Sequence, residues 1–206
     1  EFVRRLLACS PPLSEVLVGT NWRFGRGGRG DPALLSRLSR NTSMRVTVIR
    51  PVVFKGETIS STRVRTAVAG GNLDRAAAML GRPFSVLGSV VAGRAAGRRL
   101  GFPTANLDVH NEVLPPPGVY AAYMKLNRRT CPAVANFGTQ PTLQRRRDAE
   151  PLLEVHLPDA RLDLYGRDVE VQFVRRLRDE VAFKSRQLLK EQIQRDVEAA
   201  RRILGR

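Results

Sequence analysis

A chain of 206 residues is long enough for one large domain, or for one domain and a fragment of another. Its hydrophobic share of 42% can supply a packed core, which excludes a disordered basic tail despite a net charge of +16. Two cysteines without paired spacing and only two histidines exclude a disulfide framework and a multi-histidine metal centre. No apolar run approaches the roughly 18 residues that cross a bilayer, so we expect no membrane partner.

Residues 1–82 have the pattern of an α/β segment. Short buried-type runs alternate with amphipathic runs, and Asp31 followed by Pro32 is typical of a helix start. The pattern changes after the turn at residues 81–83, so we place a domain boundary between Arg82 and Pro83. The predicted strands are Glu15–Gly19 and Arg45–Val53, and the predicted helices are Glu1–Cys9, Pro32–Leu38 and Leu73–Leu80.

Residues 83–206 contain short β-type runs that follow one another without helices between them, which predicts an antiparallel barrel or sandwich. The six predicted strands are Phe84–Ala92, Gly118–Leu126, Ala133–Asn136, Leu152–Leu157, Leu162–Tyr165 and Val169–Val174. A closing amphipathic helix is predicted after its N-cap, Ser185. The apolar stripe of this helix, which should pack on the barrel, consists of Leu189, Ile193, Val197, Ala200 and Leu204.

A glycine-rich, basic segment follows the first predicted strand of the barrel. Gly93, Gly97 and Gly101 would let backbone N–H groups approach an anion, and Arg98 would add positive charge. These features are typical of a phosphate-binding loop, although no Gly-Lys-Ser/Thr follows, so it is not a Walker loop. The alternative is a mobile basic hairpin loop with no ligand.

Two oxygen-bearing side chains come directly after this segment. Thr104 and Asn106 lie two residues apart beyond Pro103, which would place a hydroxyl and an amide oxygen on one side of an extended chain. Hard oxygen ligands of this kind suit Mg²⁺ bound to a nucleotide. The alternative is a turn in which Asn106 hydrogen-bonds its own backbone.

A carboxylate interrupts the predicted strand at Leu152–Leu157. Alternation puts Glu154 and His156 on one face of this strand, and Leu153, Val155 and Leu157 on the other. If Glu154 faces a pocket, it could take a proton from an attacking alcohol. The alternative is a glutamate on the barrel exterior, and Arg178 with Glu180, just after the last strand, could equally be a solvated loop pair.

The order of the motifs in residues 83–204 closely resembles the riboflavin kinase family. The most specific motifs are Gly-x-x-x-Gly-Arg-x-Leu-Gly-Phe-Pro-Thr-Ala-Asn-Leu at 93–107, Leu-Pro-x-x-Gly-Val-Tyr-Ala at 114–121, Ala-Asn-Phe-Gly-x-x-Pro-Thr at 135–142, Leu-Glu-Val-His-Leu at 153–157 and Gln-Ile-x-x-Asp at 192–196. The resemblance implies a six-stranded Greek-key barrel that transfers the γ-phosphate of ATP to the ribityl 5′-hydroxyl of riboflavin, giving FMN and ADP.

The resemblance also implies roles for particular residues. Thr104 and Asn106 correspond to the Mg²⁺–ATP ligands, Glu154 to the general base, and Arg178 and Glu180 to flavin-side residues. The sequence departs from the family at one position near the closing helix. A basic residue usually precedes the phenylalanine found here at 183, whereas in this chain Lys184 follows it.

The first segment resembles the second half of the FAD synthetase module that precedes riboflavin kinase in bacterial bifunctional enzymes, which implies an incomplete, Rossmann-like nucleotidyltransferase. The resemblance rests on Val-Leu-Val-Gly-Thr-Asn-Trp-Arg-Phe-Gly at 16–25, Ile-Ser-Ser-Thr-Arg-Val-Arg at 59–65 and Leu-Gly-Arg-Pro at 80–83. Ser60, Ser61, Thr62 and Arg63 would supply hydroxyls, N–H groups and a guanidinium to nucleotide phosphates. The alternative for this cluster is simple capping of a helix.

That module differs here from its family in two ways. Asn21 stands where an acidic residue is usual, and the chain has no His-x-Gly-His motif, which in the family handles the nucleotide phosphates. We therefore expect riboflavin phosphorylation without FAD synthesis, in a chain whose beginning is missing or processed. The expected location is the cytoplasm, or an organelle matrix if the N-terminus was processed.

The high positive charge leaves a second hypothesis open, namely a truncated flavin enzyme recruited as an RNA- or ribosome-associated protein. Arginine-rich segments could contact nucleic-acid phosphates. Against this hypothesis, the basic loops lack interleaved aromatic residues for base stacking. The segments are residues 26–30, Arg98-Arg99, Arg128-Arg129 and Arg145-Arg146-Arg147.

Overall fold

The computed structural model of the protein describes residues 1–93, 96–139, 151–160 and 162–205, and the chain divides into two compact units, Glu1–Ile59 and Ser60–Arg206. This division falls before the domain boundary that the sequence predicts after residue 82. Residues 60–82 belong to the second unit because their helices pack together and Leu73 enters the barrel core. A boundary between sequence modules after Arg82 stays a prediction.

The first unit is a small α/β segment with a two-stranded parallel sheet. Strand β1 pairs with β2, and Val18, Leu35 and Met44 form the buried core between sheet and helices. Asp31 caps the second helix, as predicted, because its Oδ1 accepts a hydrogen bond of 2.7 Å from the backbone N–H of Leu34. The elements are α1 (Phe2–Leu7), β1 (Glu15–Gly19), α2 (Pro32–Ser39), β2 (Arg45–Ile49), β3 (Val53–Phe54) and β4 (Glu57–Thr58).

The predicted strand Arg45–Val53 is wrong in its extent. Strand β2 ends at Ile49, and the chain then forms a separate hairpin of β3 and β4. Pro51 lies between the two because proline has no N–H for a sheet ladder. The run of valines on either side of it therefore belongs to two different sheets.

The second unit begins with two helices and continues as a barrel with a closing helix. Its elements are α3 (Ser61–Ala69), α4 (Leu73–Leu80), β5 (Ser85–Val91), α5 (Ala96–Arg99), β6 (Thr104–Val109), β7 (Gly118–Leu126), β8 (Arg129–Thr139), β9 (Pro151–His156), β10 (Asp168–Arg178) and α6 (Arg186–Leu204). The barrel is closed, with the strand order β10, β5, β6, β9, β8, β7, and all neighbouring strands are antiparallel. Since β10 returns to lie beside β7 after two hairpins, the connectivity is a Greek key, and the predicted fold is confirmed.

Two of the predicted strands need correction. Residues 104–109, predicted only as an extended chain, form the full strand β6, whereas Leu162–Tyr165 is not a strand. Leu162 and Leu164 instead pack against the barrel core from a segment without strand partners. Burial of these two leucines explains the apolar alternation that resembled a strand.

The two faces of the barrel wall have different roles. Inward side chains such as Leu107, Leu153 and Val155 fill a closed core. Helix α6 covers part of the outer face, where Val197 and Ala200 pack against apolar side chains of β7 and β8. The predicted helix start is confirmed, because Ser185 Oγ accepts from the backbone N–H of Leu188 at 3.2 Å. Within the described ranges, no helix is long and apolar enough to cross a membrane.

Candidate active site

A cleft of about 260 Å³ lies between the outer face of the barrel and α6. Outward side chains of β6, β8 and β9 form one wall, and the segment after β10 with the first turns of α6 forms the other. We call it the helix-side cleft. Its polar lining residues are Thr104, Asn136, Glu154, His156, Arg178, Glu180 and Asp196.

Glu154 stands in the middle of a row of polar side chains that crosses three strands. On β9 it lies directly opposite Asn106 on β6 and Asn136 on β8. Residues opposite each other on neighbouring strands point to the same face, with Cβ atoms roughly 5 Å apart. Leu153 and Val155 point into the core, so the predicted alternation is confirmed. Glu154 is on the barrel exterior and in a cleft at once, because α6 covers this face.

Glu154 is electrostatically unusual. Burial raises the pKa of its carboxyl group, and the negative charge of Glu180 raises that pKa further. A carboxylate whose pKa is raised toward neutrality is a better proton acceptor than an ordinary surface glutamate. The arrangement can therefore remove a proton from a hydroxyl group held in the cleft.

Asn136 joins this row to the second carboxylate. Its side-chain amide donates a hydrogen bond to the carboxylate of Glu180, since a carboxylate can only accept. Its Oδ1 is buried and lacks a hydrogen-bond partner among the described residues. A Cβ at Gly138 would overlap the Glu180 carboxylate, so only glycine allows this approach. The sequence contains Asn136 within a recognised motif but does not predict its contact.

Glu180 itself has a raised pKa. Burial is the main cause, and it is opposed by the hydrogen bond from Asn136 and by the positive charge of Arg178. Two carboxyl groups with raised pKa values thus share one cleft. The cleft therefore favours a cation or a proton donor near Glu154.

His156 fixes the start of β6 against β9. Its Nδ1 donates to the backbone carbonyl oxygen of Pro103 at 2.8 Å, which leaves Nε2 as an acceptor. The ring of Phe102 meets the imidazole edge-on, with centroids 5.5 Å apart and planes at 82°. Because Thr104 lies opposite His156, these contacts also hold Thr104 in place. Sequence alternation puts His156 beside Glu154 but does not predict this bridging contact.

Thr104 and Asn106 project from the same face of β6, as predicted. A Cβ at Gly93 would overlap the Asn106 amide, and one at Gly97 would lie 3.2 Å from Thr104 Oγ1. These two glycines therefore let the backbone approach the side chains of Asn106 and Thr104 closely. Gly101 has a φ of +90°, a conformation that glycine adopts readily, and it ends the turn after α5.

A second cleft of about 630 Å³, which we call the loop-side cleft, also has Thr104 in its wall. Arg98 lines it on one side, and Asp163 and Tyr165 line it on another. The sharing of Thr104 means that the two clefts adjoin. The arginine of the predicted phosphate loop, Arg98, therefore lines a different cleft from Glu154, and Thr104 lines both.

The oxygen donors suit one kind of metal ion. In the part of the chain that is described, no group of three or more His, Cys, Asp or Glu side chains could hold a metal. A hydroxyl and an amide oxygen alone fit Mg²⁺, which commonly keeps several waters and binds substrate phosphates with few protein ligands. Thr104 and Asn106 are the side chains that could hold such an ion together with nucleotide phosphates.

Arg178, predicted as a flavin-side residue, is held mainly by another protein side chain. Its Nε and Nη2 donate to the carboxylate of Asp196 on α6 at 2.8–3.1 Å, and its Nη1 donates to the backbone oxygen of Asp179 at 2.9 Å. Its guanidinium also lies over the ring of Phe183, 5.7 Å from the centroid. The sequence motif includes Asp196, but only the fold reveals this pair.

The Ser60–Arg63 cluster begins α3. Ser60 Oγ accepts from the backbone N–H of Arg63 at 3.3 Å, so the capping alternative describes an observed contact. None of the cluster lines either cleft described above. A phosphate-binding role for Ser60, Ser61, Thr62 and Arg63 stays a prediction.

The sequence model of the riboflavin kinase family matches residues 80–204, and that of the FAD synthetase family matches residues 1–63. The first match covers more than half of the chain and contains both clefts. This protein therefore belongs to the riboflavin kinase family.

Curated relatives match almost the whole chain. Bifunctional riboflavin kinase/FMN adenylyltransferases of Escherichia coli, Pseudomonas fluorescens and Haemophilus influenzae are 40%, 38% and 36% identical over 205, 201 and 201 residues. The alignments cover 97–99% of this chain but 64% of each relative, so the chain spans under two thirds of their length.

A solved structure shares the architecture. A crystal structure described as a macrolide-efflux protein from Streptococcus pneumoniae has a TM-score of 0.74 and 32% identity. The alignment covers 91% of this chain and 60% of that one. That description is the other protein's own, whereas the likeness extends across most of the fold seen here.

Proposed function

We propose that this chain is an ATP:riboflavin 5′-phosphotransferase, a riboflavin kinase. The observation that carries the proposal is Glu154, a carboxyl group of raised pKa that stands between Asn106 and Asn136 in a cleft. Membership of the riboflavin kinase family supports the choice of substrates, and the adjoining clefts provide separate places for the two.

In the proposed reaction, the 5′-hydroxyl of riboflavin attacks the γ-phosphorus of ATP. The hydroxyl proton passes to the Glu154 carboxylate, the new O–P bond forms, and the bond from the γ-phosphorus to the β,γ-bridging oxygen breaks. The products are FMN and ADP, and the proton on Glu154 then returns to solvent. Phosphoryl transfer depends chiefly on positioning and on charge stabilisation, so the proposed reaction needs no covalent intermediate with the protein.

ATP would bind as its Mg²⁺ complex. Mg²⁺ neutralises phosphate charge, and Thr104 and Asn106 would hold it. Gly93, Gly97 and Gly101 would bring backbone groups close to the phosphates, with Arg98 adding a positive charge from the loop-side cleft. The predicted phosphate loop would thus bind the phosphates of the same nucleotide whose Mg²⁺ is held by Thr104 and Asn106.

Riboflavin would occupy the helix-side cleft. The apolar side chains of Val181, Phe183 and Leu189 offer a surface for the flavin ring, and the ribityl end would reach Glu154. Arg178 and Glu180 retain the flavin-side role proposed from the family resemblance. Arg178 is held by Asp196, and Glu180 is held by Asn136. These contacts fix the positions of one positive and one negative charge in this part of the cleft.

The first unit bears on a second activity. Its match to FAD synthetase ends at residue 63, and the chain given contains no His-x-Gly-His motif. The proposal for FMN formation rests on residues 80–204 and does not extend to transfer of AMP from ATP to FMN.

The RNA-associated alternative gains no support from the family models or from the relatives described above. Its basic run at residues 145–147 lies outside the described residues.

The test of the proposed function is direct. Purified chain is incubated with riboflavin, Mg²⁺ and ATP labelled at the γ-phosphate, and the flavins are separated by chromatography. We expect labelled FMN in step with ADP formation, and no FMN when Mg²⁺ is chelated. A folded chain that binds riboflavin but forms no FMN would overturn the proposal, and salt-sensitive RNA binding in that sample would favour the alternative.

A further inference from the structure

Asp196 is a buried carboxylate in a helix that apolar contacts already hold to the barrel. Only 5% of the residue is exposed. Its two oxygens accept from Arg178 Nε at 3.1 and 3.0 Å and from Arg178 Nη2 at 2.8 Å, and its Oδ1 also accepts from Gln192 Nε2 at 2.9 Å. Most of the hydrogen-bonding capacity of this carboxylate is thus directed at one guanidinium.

The guanidinium of Arg178 is held from three directions. Besides the Asp196 pair, it donates to the Asp179 backbone oxygen and stacks on Phe183. Among the described residues that line the helix-side cleft, Arg178 is the single Arg or Lys. Glu180 lines the same cleft two residues further along the chain, and the charge of Arg178 opposes the rise in the pKa of Glu180 that burial causes.

Stability alone is a poor explanation for this buried pair. Val197, Ala200 and Leu204 pack α6 on the barrel without it. Replacing a buried ion pair with apolar side chains is often neutral or stabilising, because desolvation of two charges offsets their attraction. A structural need to attach the helix would be met by one more apolar contact, so the placement of a charge beside the cleft calls for another reason.

We propose that Asp196 is a positioning residue of the kinase site, and that it fixes the Arg178 guanidinium against α6 so that this cation does not pair with the base, Glu154. The inference rests on the proposed function. Without the Asp196 charge, Arg178 has two other carboxylates in the same cleft to pair with, Glu154 and Glu180. Pairing with Glu154 would occupy the carboxylate that must accept the hydroxyl proton, and pairing with Glu180 would move the cation away from α6.

The first variant to test is Asp196→Asn, which keeps the shape of the side chain and removes its charge. We expect kcat to fall by about 10- to 100-fold, since a misplacement of about 1 Å at a catalytic group can cost that much. The dissociation constant of riboflavin, read from quenching of flavin fluorescence, should rise by less than kcat falls, although Arg178 is a flavin-side residue. Asp196→Glu, which restores the charge, should recover part of the lost kcat.

The chain contains a matched control. Asp159 makes an ion pair of 2.5 Å with Arg201, which also joins α6 to the barrel side, and neither residue lines a cleft. Asp159→Asn therefore breaks an Asp–Arg contact of the same helix without touching the site. We expect its kcat and its riboflavin affinity to equal those of the unmodified chain.

The outcomes separate the two proposals. If the unmodified chain makes no FMN, the proposed function fails. If it makes FMN but Asp196→Asn has the same kcat as Asp159→Asn, or loses kcat and flavin affinity in equal proportion, Asp196 is only structural and the inference fails. If Asp196→Asn does not fold, Arg178→Lys decides, because lysine keeps the charge but loses the two-point contact, and an unchanged kcat in that variant overturns the inference.

Discussion

Asn106 and Glu154 lie directly opposite each other on β6 and β9, with both side chains on the outer face of the barrel. One is the proposed magnesium ligand and the other the proposed base, so the strand register sets the distance between nucleotide and proton acceptor. Asn136 extends the row on β8. A rigid, hydrogen-bonded sheet thus holds three groups that a flexible loop would hold less well.

Glu154→Gln should lower kcat by about 10²–10⁴-fold, the usual contribution of a general base. Glutamine has nearly the same shape, so the dissociation constant of riboflavin should change little. The measurement is steady-state FMN formation together with a fluorescence titration of flavin. Glu112→Gln is a matched control, because Glu112 is exposed and lines neither cleft. Equal kcat in the two variants would remove Glu154 from the mechanism.

The activity should fall on the acid side at a pH above the ordinary pKa of glutamate. Burial and the charge of Glu180 raise the pKa of Glu154, and the carboxyl can accept a proton only when it is ionised. Activity is therefore present above this pKa and is lost as the pH falls through it. The acid limb of the pH profile, the range in which activity falls, is read from kcat/KM for riboflavin measured against pH.

Glu180→Gln should move that acid limb to lower pH, because it removes a neighbouring negative charge. Asp179→Asn is the control, since Asp179 is mostly exposed and pairs with Arg176 at 2.7 Å. A limb that stays in place in Glu180→Gln, or that moves equally in both variants, would show that Glu180 does not act on Glu154.

Gly93→Ala should impair the nucleotide side of the reaction. A Cβ at residue 93 would overlap the Asn106 amide, so that side chain must move. We expect kcat/KM for ATP to fall by about 100-fold, as misplacement of a positioning group by about 1 Å can do. Gly138→Ala is the comparison, because its Cβ would overlap Glu180 instead. This variant should lower kcat/KM for riboflavin rather than for ATP. ATP kinetics that are normal in Gly93→Ala would contradict this role of Asn106.

The sequence correctly predicts those features that depend only on residues close together in the chain. Alternation along residues 152–157 correctly puts Glu154 outward, because side-chain direction in a strand has a period of two. Ser185 is correctly predicted as a helix cap, because a cap hydrogen-bonds a backbone N–H only three residues away. In contrast, the sequence predicts β6 only as an extended chain, because Asn106 and Asp108 belong to residue types that are depleted in strands.

The sequence pattern does not predict contacts between segments that are far apart in the chain. The pairing of β6 with β9 follows from closure of the barrel, and no local periodicity specifies it. Asn136 and Asp196 lie in motifs of the sequence, and Glu180 and Arg178 are predicted site residues. The contacts of Asn136 with Glu180 and of Asp196 with Arg178 are not predicted. The outward position of Asn136 on β8 is the signal that could have found it, once Glu154 was placed on the neighbouring strand.

Phe173→Ala should destabilise the barrel by about 3–5 kcal/mol, the range for large aromatic truncations in a core. Phe173 is fully enclosed and meets Tyr120 edge-on, with ring centroids 5.1 Å apart. The free energy of unfolding is measured by urea titration. Phe183→Ala is the comparison, because Phe183 is only half-buried in the lining of the helix-side cleft and its loss should cost less stability.

Glu154→Gln should also make the protein more stable at neutral pH, although it removes activity. A carboxyl whose pKa is higher in the folded than in the unfolded chain favours unfolding once it is ionised, because folding must bury a charge that water solvates better. The unmodified chain therefore loses stability relative to the variant as the pH rises from the unfolded pKa through the folded one. At a pH below both values the carboxyl is neutral in both states, and the difference should vanish. Thermal unfolding of both chains at neutral and at acidic pH measures this, and a variant that is less stable at neutral pH would show that the Glu154 charge is satisfied in the folded protein.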